Sequence, residues 1–383
     1  MTVNQQKQQQ LDELLLHGLE SLDLTQAQFN DAIAKYEAVG RCLAAPGSVL
    51  APYSPTIYAQ GSMAIGTTNK AVGRDERDID LVCEMVLPVT ISQAEAKRLL
   101  GQCLMENAIY ATMLKEKNRC WRLVYAGEFH MDILPSKPDQ RLPTPTALLV
   151  PDSALRRWKE SDPRGYAAWF KRETARSMRQ SSGGIRAGVE PAPQYLSVWD
   201  KAPLQIAIQL LKRHRDLRLN GNDDAPISII ITTLAARAYR GQDSIIATLF
   251  DLLQRMPLYI DHDENRLPFV RNPTNVLENF ADKWHTEPQK QRVFNQWIED
   301  AKVDLNELAA ATLGQSGESL KRFLGECHSN SALRAYGDRM QRQRGAGLRV
   351  ATTSGLLGAT AGRTSEVAAN TFYGASELRR DRR

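Results

Sequence analysis

The chain predicts an α+β protein, with a mixed strand-and-helix region followed by a helical one. Three observations carry that expectation. Runs with apolar residues at alternate positions cluster between residues 55 and 134, helical periodicity opens the chain and returns from residue 204, and prolines and glycines crowd the stretch between. The 383 residues, 42% hydrophobic and 24% charged, suit a globular protein of more than one core.

Leu11, Leu14, Leu15, Leu19 and Leu22 recur at helical spacing. A second helix starts at Thr25, with Gln28 three residues on as a capping box, and carries Phe29, Ile33, Tyr36 and Val39 until Pro46 and Gly47 end it. Residues 55–60 read as a strand entering Gly61 and Ser62, and residues 78–86 as another, closed by Pro88. Residues 92–107 read as a helix. Residues 120–125 and 129–134 read as paired strands joined through Ala126 and Gly127.

After Pro135 the texture changes. Pro138, Pro143, Pro145, Pro151 and Pro163 predict a loop-rich connector, and Ser181, Ser182, Gly183 and Gly184 a flexible break. Helical patterns follow at 204–218, 226–240, 244–255, 275–284 and 289–313, and a Gly-, Ala-, Ser-, Thr- and Arg-rich tail begins near residue 342. The predicted division is therefore 1–180, a core with N-terminal helices, 185–340, a helical substrate-binding domain, and 341–383, a flexible tail.

Composition excludes several classes. Residues 1–10 are polar and Gln-rich with no apolar h-region, and the longest apolar run, 227–236, is too short to span a bilayer, so a cytoplasmic protein is expected. Five scattered cysteines with no Cys-x-x-Cys spacing predict reduced thiols rather than disulfides or a zinc site. Beyond residue 330 ten arginines face four carboxylates, a net +6 against the chain's +5, which leaves the first 330 residues at −1. The folded body therefore lacks a basic nucleic-acid footprint, although the tail could touch RNA or an acidic partner.

The chemistry concentrates in Gly61 and Ser62, in Asp78-Ile79-Asp80-Leu81, and in His130-Met131-Asp132-Ile133-Leu134. In a strand, residues two apart share a face, so Asp78 and Asp80 point together while Ile79 and Leu81 turn to the core. Two like charges held that close call for something positive between them, and a pair of divalent ions is the usual answer. Gly61 lets backbone approach a phosphate, and Ser62 adds a hydroxyl and an N–H at a helix start. Asp132 would complete the ligand set and help take a proton from an acceptor hydroxyl. The set predicts nucleotidyl transfer with two Mg²⁺ ions, or Mn²⁺. The bland alternative puts Asp78 in a solvated loop with Arg74, Asp75, Glu76 and Arg77; it explains Asp80 and Asp132 badly, since both sit in apolar runs where an idle carboxylate is costly.

Tyr58-Ala59-Gln60-Gly61-Ser62 through Asp78-Ile79-Asp80-Leu81 resembles the polymerase-β-type nucleotidyltransferase pattern. With His130 to Pro135, Leu210-Leu211-Lys212-Arg213-His214-Arg215-Asp216, Ile227-Ser228-Ile229-Ile230, Asn272-Pro273 and Glu278 to Trp284, the chain resembles the cGAS/DncV-like nucleotidyltransferases (CD-NTases) of bacterial CBASS anti-phage systems, over roughly residues 55–285. The resemblance implies a polymerase-β-like core sheet with N-terminal helices and a C-terminal helical domain. It implies synthesis of a cyclic di- or trinucleotide second messenger from nucleoside triphosphates, ATP or GTP or both, a downstream effector that binds the product, and regulatory partner proteins. It implies that Ser62, Lys212 and Ser228 contact the donor triphosphate.

Other readings stand beside these. Lys212 also reads as a helix-surface lysine among Arg213 and Arg215, His130 as a packed strand histidine, and Asn272-Pro273 as a helix entry. Transfer of nucleotides onto RNA or protein uses the same chemistry. The fifteen residues between Ser62 and Asp78 are a long gap for the general pattern, and Arg382-Arg383 departs from relatives whose small last residue is conjugated to a target. Arg186, Tyr195 and Trp199 are candidates for reading the base.

Overall fold

The computed structural model describes residues 5–70, 78–127, 129–152, 156–176, 190–312, 315–345, 350–351 and 357–358. The charged loop 74–77, the Ser-Gly break at 181–184, Arg186 and nearly all of the tail lie outside them. The chain divides into one compact unit, Met1–Ala332, and a second, Leu333–Arg383, which carries a two-stranded pairing of Val350–Ala351 with Leu357–Gly358.

The first unit opens with α1 (Gln5–Glu20) and α2 (Gln26–Leu43). Thr25 caps α2, with the reciprocal Gln28 bond of a capping box, as its sequence predicts. Next come β1 (Thr56–Gln60), α3 (Gly61–Ala64), β2 (Asp78–Glu84), α4 (Gln93–Met105), α5 (Ala108–Met113), β3 (Leu114–Glu116), β4 (Trp121–Tyr125) and β5 (Phe129–Pro138). These strands form a mixed sheet in the order β1-β2-β5-β4-β3, in which only the β2–β5 pairing is parallel. Leu81, Cys83, Met131 and Ile133 are fully buried on the face that packs on α2 and α4, where Leu81, Met131 and Ile133 each contribute about 1.5–3 kcal/mol by leaving water. The opposite face carries the acids.

The expected connector after Pro135 is more ordered than its prolines suggest. It holds β6 (Leu148–Asp152), β7 (Arg157–Ser161) and α6 (Pro163–Thr174), and β6 pairs with the far end of β5. The prolines stand where they are tolerated: Pro138 ends a strand, Pro151 is next to last in one, and Pro163 takes the first helical position behind the cap Asp162.

The helical part contains α7 (Pro203–Arg218), α8 (Ser228–Ala238), α9 (Ile245–Arg255), a two-residue pairing of β8 (Asp261–His262) with β9 (Pro268–Phe269), and the hairpin of β10 (Arg271–Asn272) and β11 (Asn275–Asn279). After it come α10 (Lys283–Thr286), α11 (Gln289–Ala310), α12 (Ser316–Leu324) and α13 (Glu326–Gly345). Residues 204–214 of α7 are all buried, and this central helix packs against α1, α6, α8, α9, α11 and α12. Although first in sequence, α1 joins this helical layer, and Asp12 accepts the Ile246 N–H at the start of α9 at 2.8 Å.

One helical expectation fails. Residues 275–284 form β11, a turn and a short helix, because asparagine side chains take over the backbone groups that a helix would pair. Asn275 accepts from the Leu277 N–H at 3.2 Å, and Asn279 from Val270 and Ala281 at 3.0 Å each. Val276, Phe280 and Trp284 imitate a helical stripe by their spacing alone. Asn272-Pro273 is accordingly a hairpin turn rather than a helix entry. All five cysteines are free thiols. No helix among the described residues is long and apolar enough to cross a membrane.

Candidate active site

Register builds the acidic centre. In the parallel β2–β5 pairing Asp78 stands opposite His130 and Asp80 opposite Asp132, while the antiparallel β4 sets Arg122 opposite Asp132. Neighbouring strands lie about 4.8 Å apart, so four charged side chains share one small area of sheet. Ile79 and Leu81 turn into the core, as the alternation predicts.

The positive partner that the acids require is an arginine. Arg122 holds both oxygens of Asp132, Nε to Oδ1 at 2.6 Å and Nη2 to Oδ2 at 2.7 Å, and stands 3.4 Å from Asp78 Oδ1. Asp80 is left without such a clamp. Loss of solvent, and then the charges of Asp132 and Asp78, push its carboxyl up to about 7, against an opposing pull from Lys212 and Arg122. Arg122 is the residue that sequence reading overlooked. Its signal was a lone cation in an otherwise apolar strand, Trp121-Arg122-Leu123-Val124-Tyr125.

Gly61 begins α3 with φ of +63°, and a Cβ built on it would stand 2.2 Å from Asp80 Oδ2. The glycine therefore makes room for the carboxylate as well as for any phosphate. Ser62 follows, its Oγ 3.4 Å from Thr68 Oγ1.

Lys212 projects from α7 and is buried, contrary to the surface-lysine reading; its Nζ donates to the Thr67 carbonyl at 2.9 Å. Burial and the nearby Arg215 bring its ammonium down to about 8, while Asp216 and Asp80 pull the other way. Ser228 is the first residue of α8, and its hydroxyl accepts from Arg215 Nη2 at 3.2 Å. Gly61, Ser62, Asp78, Asp80, Lys212 and Ser228 all line one cleft of about 1490 Å³. Asp132 adjoins it through the strand register.

The base-reading candidates fare differently. Tyr195 donates to the Leu24 carbonyl at 3.2 Å and packs edge-on against Phe29, while Trp199 donates to Glu20 and meets His17. Both pack against the N-terminal helices and their connecting turn, and neither lines the cleft. The cleft wall carries Glu278 instead, held by Asn272 at 2.7 Å and Ser161 at 3.2 Å and raised to about 7 by burial.

Hard carboxylate oxygens suit Mg²⁺ or Mn²⁺, and the crowding that lifts Asp80 is the electrostatic condition a bound cation relieves. By donor chemistry the acids fit such ions. Among the described residues, however, no three His, Cys, Asp or Glu side chains form a ready ligand group, since Arg122 engages Asp132 and leans on Asp78.

Comparison with known proteins adds a sequence and a structural finding. The family described as cyclic GMP-AMP synthase DncV-like, nucleotidyltransferase domain, matches residues 55–135. The chain is 29% identical to a c-di-GMP synthase of Roseivirga ehrenbergii, with 98% of this chain and all of that one covered. It is 27% identical to the cyclic dinucleotide synthase CdnG of Bradyrhizobium diazoefficiens, with 91% of each covered. Solved structures share the fold. CdnG in complex with GTP superposes with a TM-score of 0.70 at 23% identity, covering 86% of this chain and 99% of that one. The Vibrio cholerae DncV cyclic AMP-GMP synthase with nonhydrolyzable GTP gives 0.53 at 15% identity, covering 85% and 90%.

Proposed function

The chain belongs to the cGAS/DncV-like nucleotidyltransferase (CD-NTase) family, and from that premise we propose that it joins nucleoside triphosphates, GTP among them, into a cyclic dinucleotide second messenger. The observation that carries this reading is the register setting Asp80 beside Asp132, at a cleft that Gly61, Ser62, Lys212 and Ser228 also line.

In this reading the Gly61–Ser62 turn and the Lys212 ammonium meet the donor triphosphate, and Ser228 adds a hydroxyl contact. Asp78, Asp80 and Asp132 would hold Mg²⁺ or Mn²⁺. Bound there, such ions supply charge neutralisation of the triphosphate and acidify the acceptor hydroxyl. Asp132, oriented by Arg122, accepts that hydroxyl's proton. The freed oxygen attacks the α-phosphorus, the bond to the bridging oxygen breaks, and pyrophosphate leaves. A second transfer in the opposite sense closes the ring. We extend the reading to anti-phage defence, in which a separate effector binds the diffusible product and partner proteins regulate its synthesis.

The test is to incubate the protein with labelled ribonucleotides and Mg²⁺ or Mn²⁺, then weigh phosphatase-resistant products by mass spectrometry. Resistant dinucleotide that disappears in Asp78→Ala and Asp80→Ala supports the proposal. Label transferred only to added tRNA or protein overturns it.

A further inference from the structure

The turn that follows Gly61 and Ser62 is held by the helical part of the protein rather than by the sheet. Three side chains on α7, at positions 205, 209 and 212, fall on one helical stripe and donate to successive stretches of that turn's backbone. Gln205 Nε2 donates to the Ile65 carbonyl at 2.9 Å, Gln209 Nε2 to the Thr68 carbonyl at 2.7 Å, and Lys212 Nζ to the Thr67 carbonyl at 2.9 Å. The turn reciprocates through Asn69, whose Nδ2 donates to the Gln209 carbonyl at 2.8 Å. Gly66, at φ +69°, permits the approach, since a Cβ there would stand 2.6 Å from Gln205 Nε2.

The glutamines are themselves fixed. The Gln205 side-chain oxygen accepts from the Ala202 N–H at 3.0 Å. The Gln209 oxygen accepts from Lys201 at 3.2 Å, and Lys201 is paired with Asp23 in the turn between α1 and α2. Gln209 is fully buried, and Lys201 and Asp23 nearly so. A buried amide whose oxygen is committed to Lys201 has one orientation available, with its N–H aimed at Thr68. The turn closes on itself through two backbone bonds, Thr67 N–H to the Ser62 carbonyl at 2.9 Å and Gly66 N–H to the Met63 carbonyl at 3.3 Å. Its Ile65, Thr67 and Thr68 carbonyls are met by α7, so the placement of the turn against the rest of the fold depends on the bonds that α7 supplies.

We propose that Gln209, with Gln205 beside it, is a positioning residue for the donor nucleotide: it sets the pose of residues 62–68, and hence of the Ser62 groups that meet the triphosphate. The Asp23–Lys201 pair extends this control to the N-terminal helices. The inference rests on the reading of the cleft as a nucleotide site. Gln205 and Gln209 touch no substrate in it; they act through backbone carbonyls.

The test compares wild type with Gln209→Met, which keeps the side chain's length and removes its donor and acceptor. Asn69→Ala loosens the same tether from the turn side and serves if the buried substitution impairs folding. Affinity for a nonhydrolysable GTP analogue is measured by calorimetry with Ca²⁺, together with melting temperature, and turnover is measured separately. Loss of the hydrogen bond to Thr68 is expected to weaken analogue binding and raise KM about tenfold, with kcat changed much less. Gln209→Glu, which keeps the acceptor for Lys201 and loses the donor to Thr68, is expected to fail similarly. Variants that melt lower yet bind the analogue and show KM like wild type overturn the proposal. Analogue binding that depends on Gln209 in a protein making no cyclic product would sustain it while refuting cyclic dinucleotide synthesis. Full turnover with Gln209-independent binding would do the reverse.

Discussion

Arg122 grips Asp132 through two parallel hydrogen bonds, of 2.6 and 2.7 Å, from the strand directly opposite. This geometry fixes the carboxylate plane and pre-organises an acid that would otherwise swing in a crowded field of like charge. It also lowers the cost of ionising Asp80 next door. Arg122→Met is therefore expected to reduce kcat/KM by at least about tenfold, the scale of a lost charge-assisted hydrogen bond. In chelator the Asp80 carboxyl of this variant also titrates at higher pH, because removal of a cation raises it further. Steady-state kinetics check the first and a melting-temperature series over pH in chelator the second; an unmoved transition would show that Asp80 does not feel Arg122.

Gly61→Ala introduces a methyl group 2.2 Å from Asp80 Oδ2 at a backbone φ of +63°. Both effects act together, and the left-handed backbone alone costs about 1–2 kcal/mol for a residue with a Cβ. The expected outcome is a lower melting temperature with activity lost by two orders of magnitude or more, on the scale of a misplaced reacting group. Activity near wild type in a folded Gly61→Ala protein would show that the turn has slack.

Asp80 links stability to pH in a direction opposite to that of a salt-bridged carboxylate. Its folded value, about 7, lies above the ordinary 3.8, so folding favours its protonated form. The stability it contributes is full below 3.8 and is lost as pH rises through about 7. In chelator, Asp80→Asn is expected to raise the melting temperature more at pH 8 than at pH 5, while abolishing turnover. Equal shifts at the two pH values would contradict the assigned ionisation.

Lys212 sets an alkaline limb. Its ammonium, lowered to about 8 chiefly by burial, loses its charge as pH rises above that value, and triphosphate binding weakens with it. The predicted kcat/KM profile therefore falls on its alkaline side near 8. Lys212→Arg keeps charge at all accessible pH and is expected to flatten the alkaline limb even where it lowers overall activity. An alkaline limb unchanged in that variant would assign it to another group.

Chelation gives the simplest check on the acids. EDTA is expected to abolish product formation, and Mg²⁺ or Mn²⁺ to restore it in wild type but not in Asp80→Ala. Undiminished turnover in EDTA would exclude divalent ions from the chemistry.

Local order was legible without a fold. Alternation in Asp78-Ile79-Asp80-Leu81 sends carboxylates one way and apolar side chains the other, Thr25 and Gln28 announce a helix start, and leucine spacing announces α1, because each depends on neighbours a few residues away. Only tertiary structure decided what those acids face. Arg122 meets Asp132 through strand register, Gln209 meets Thr68 across 141 residues, and the apolar stripe of Val276, Phe280 and Trp284 yields to asparagine side chains that bond their own backbone. Periodicity records which way a side chain points. Pairing between distant strands and helices records what it touches, and burial then sets its charge.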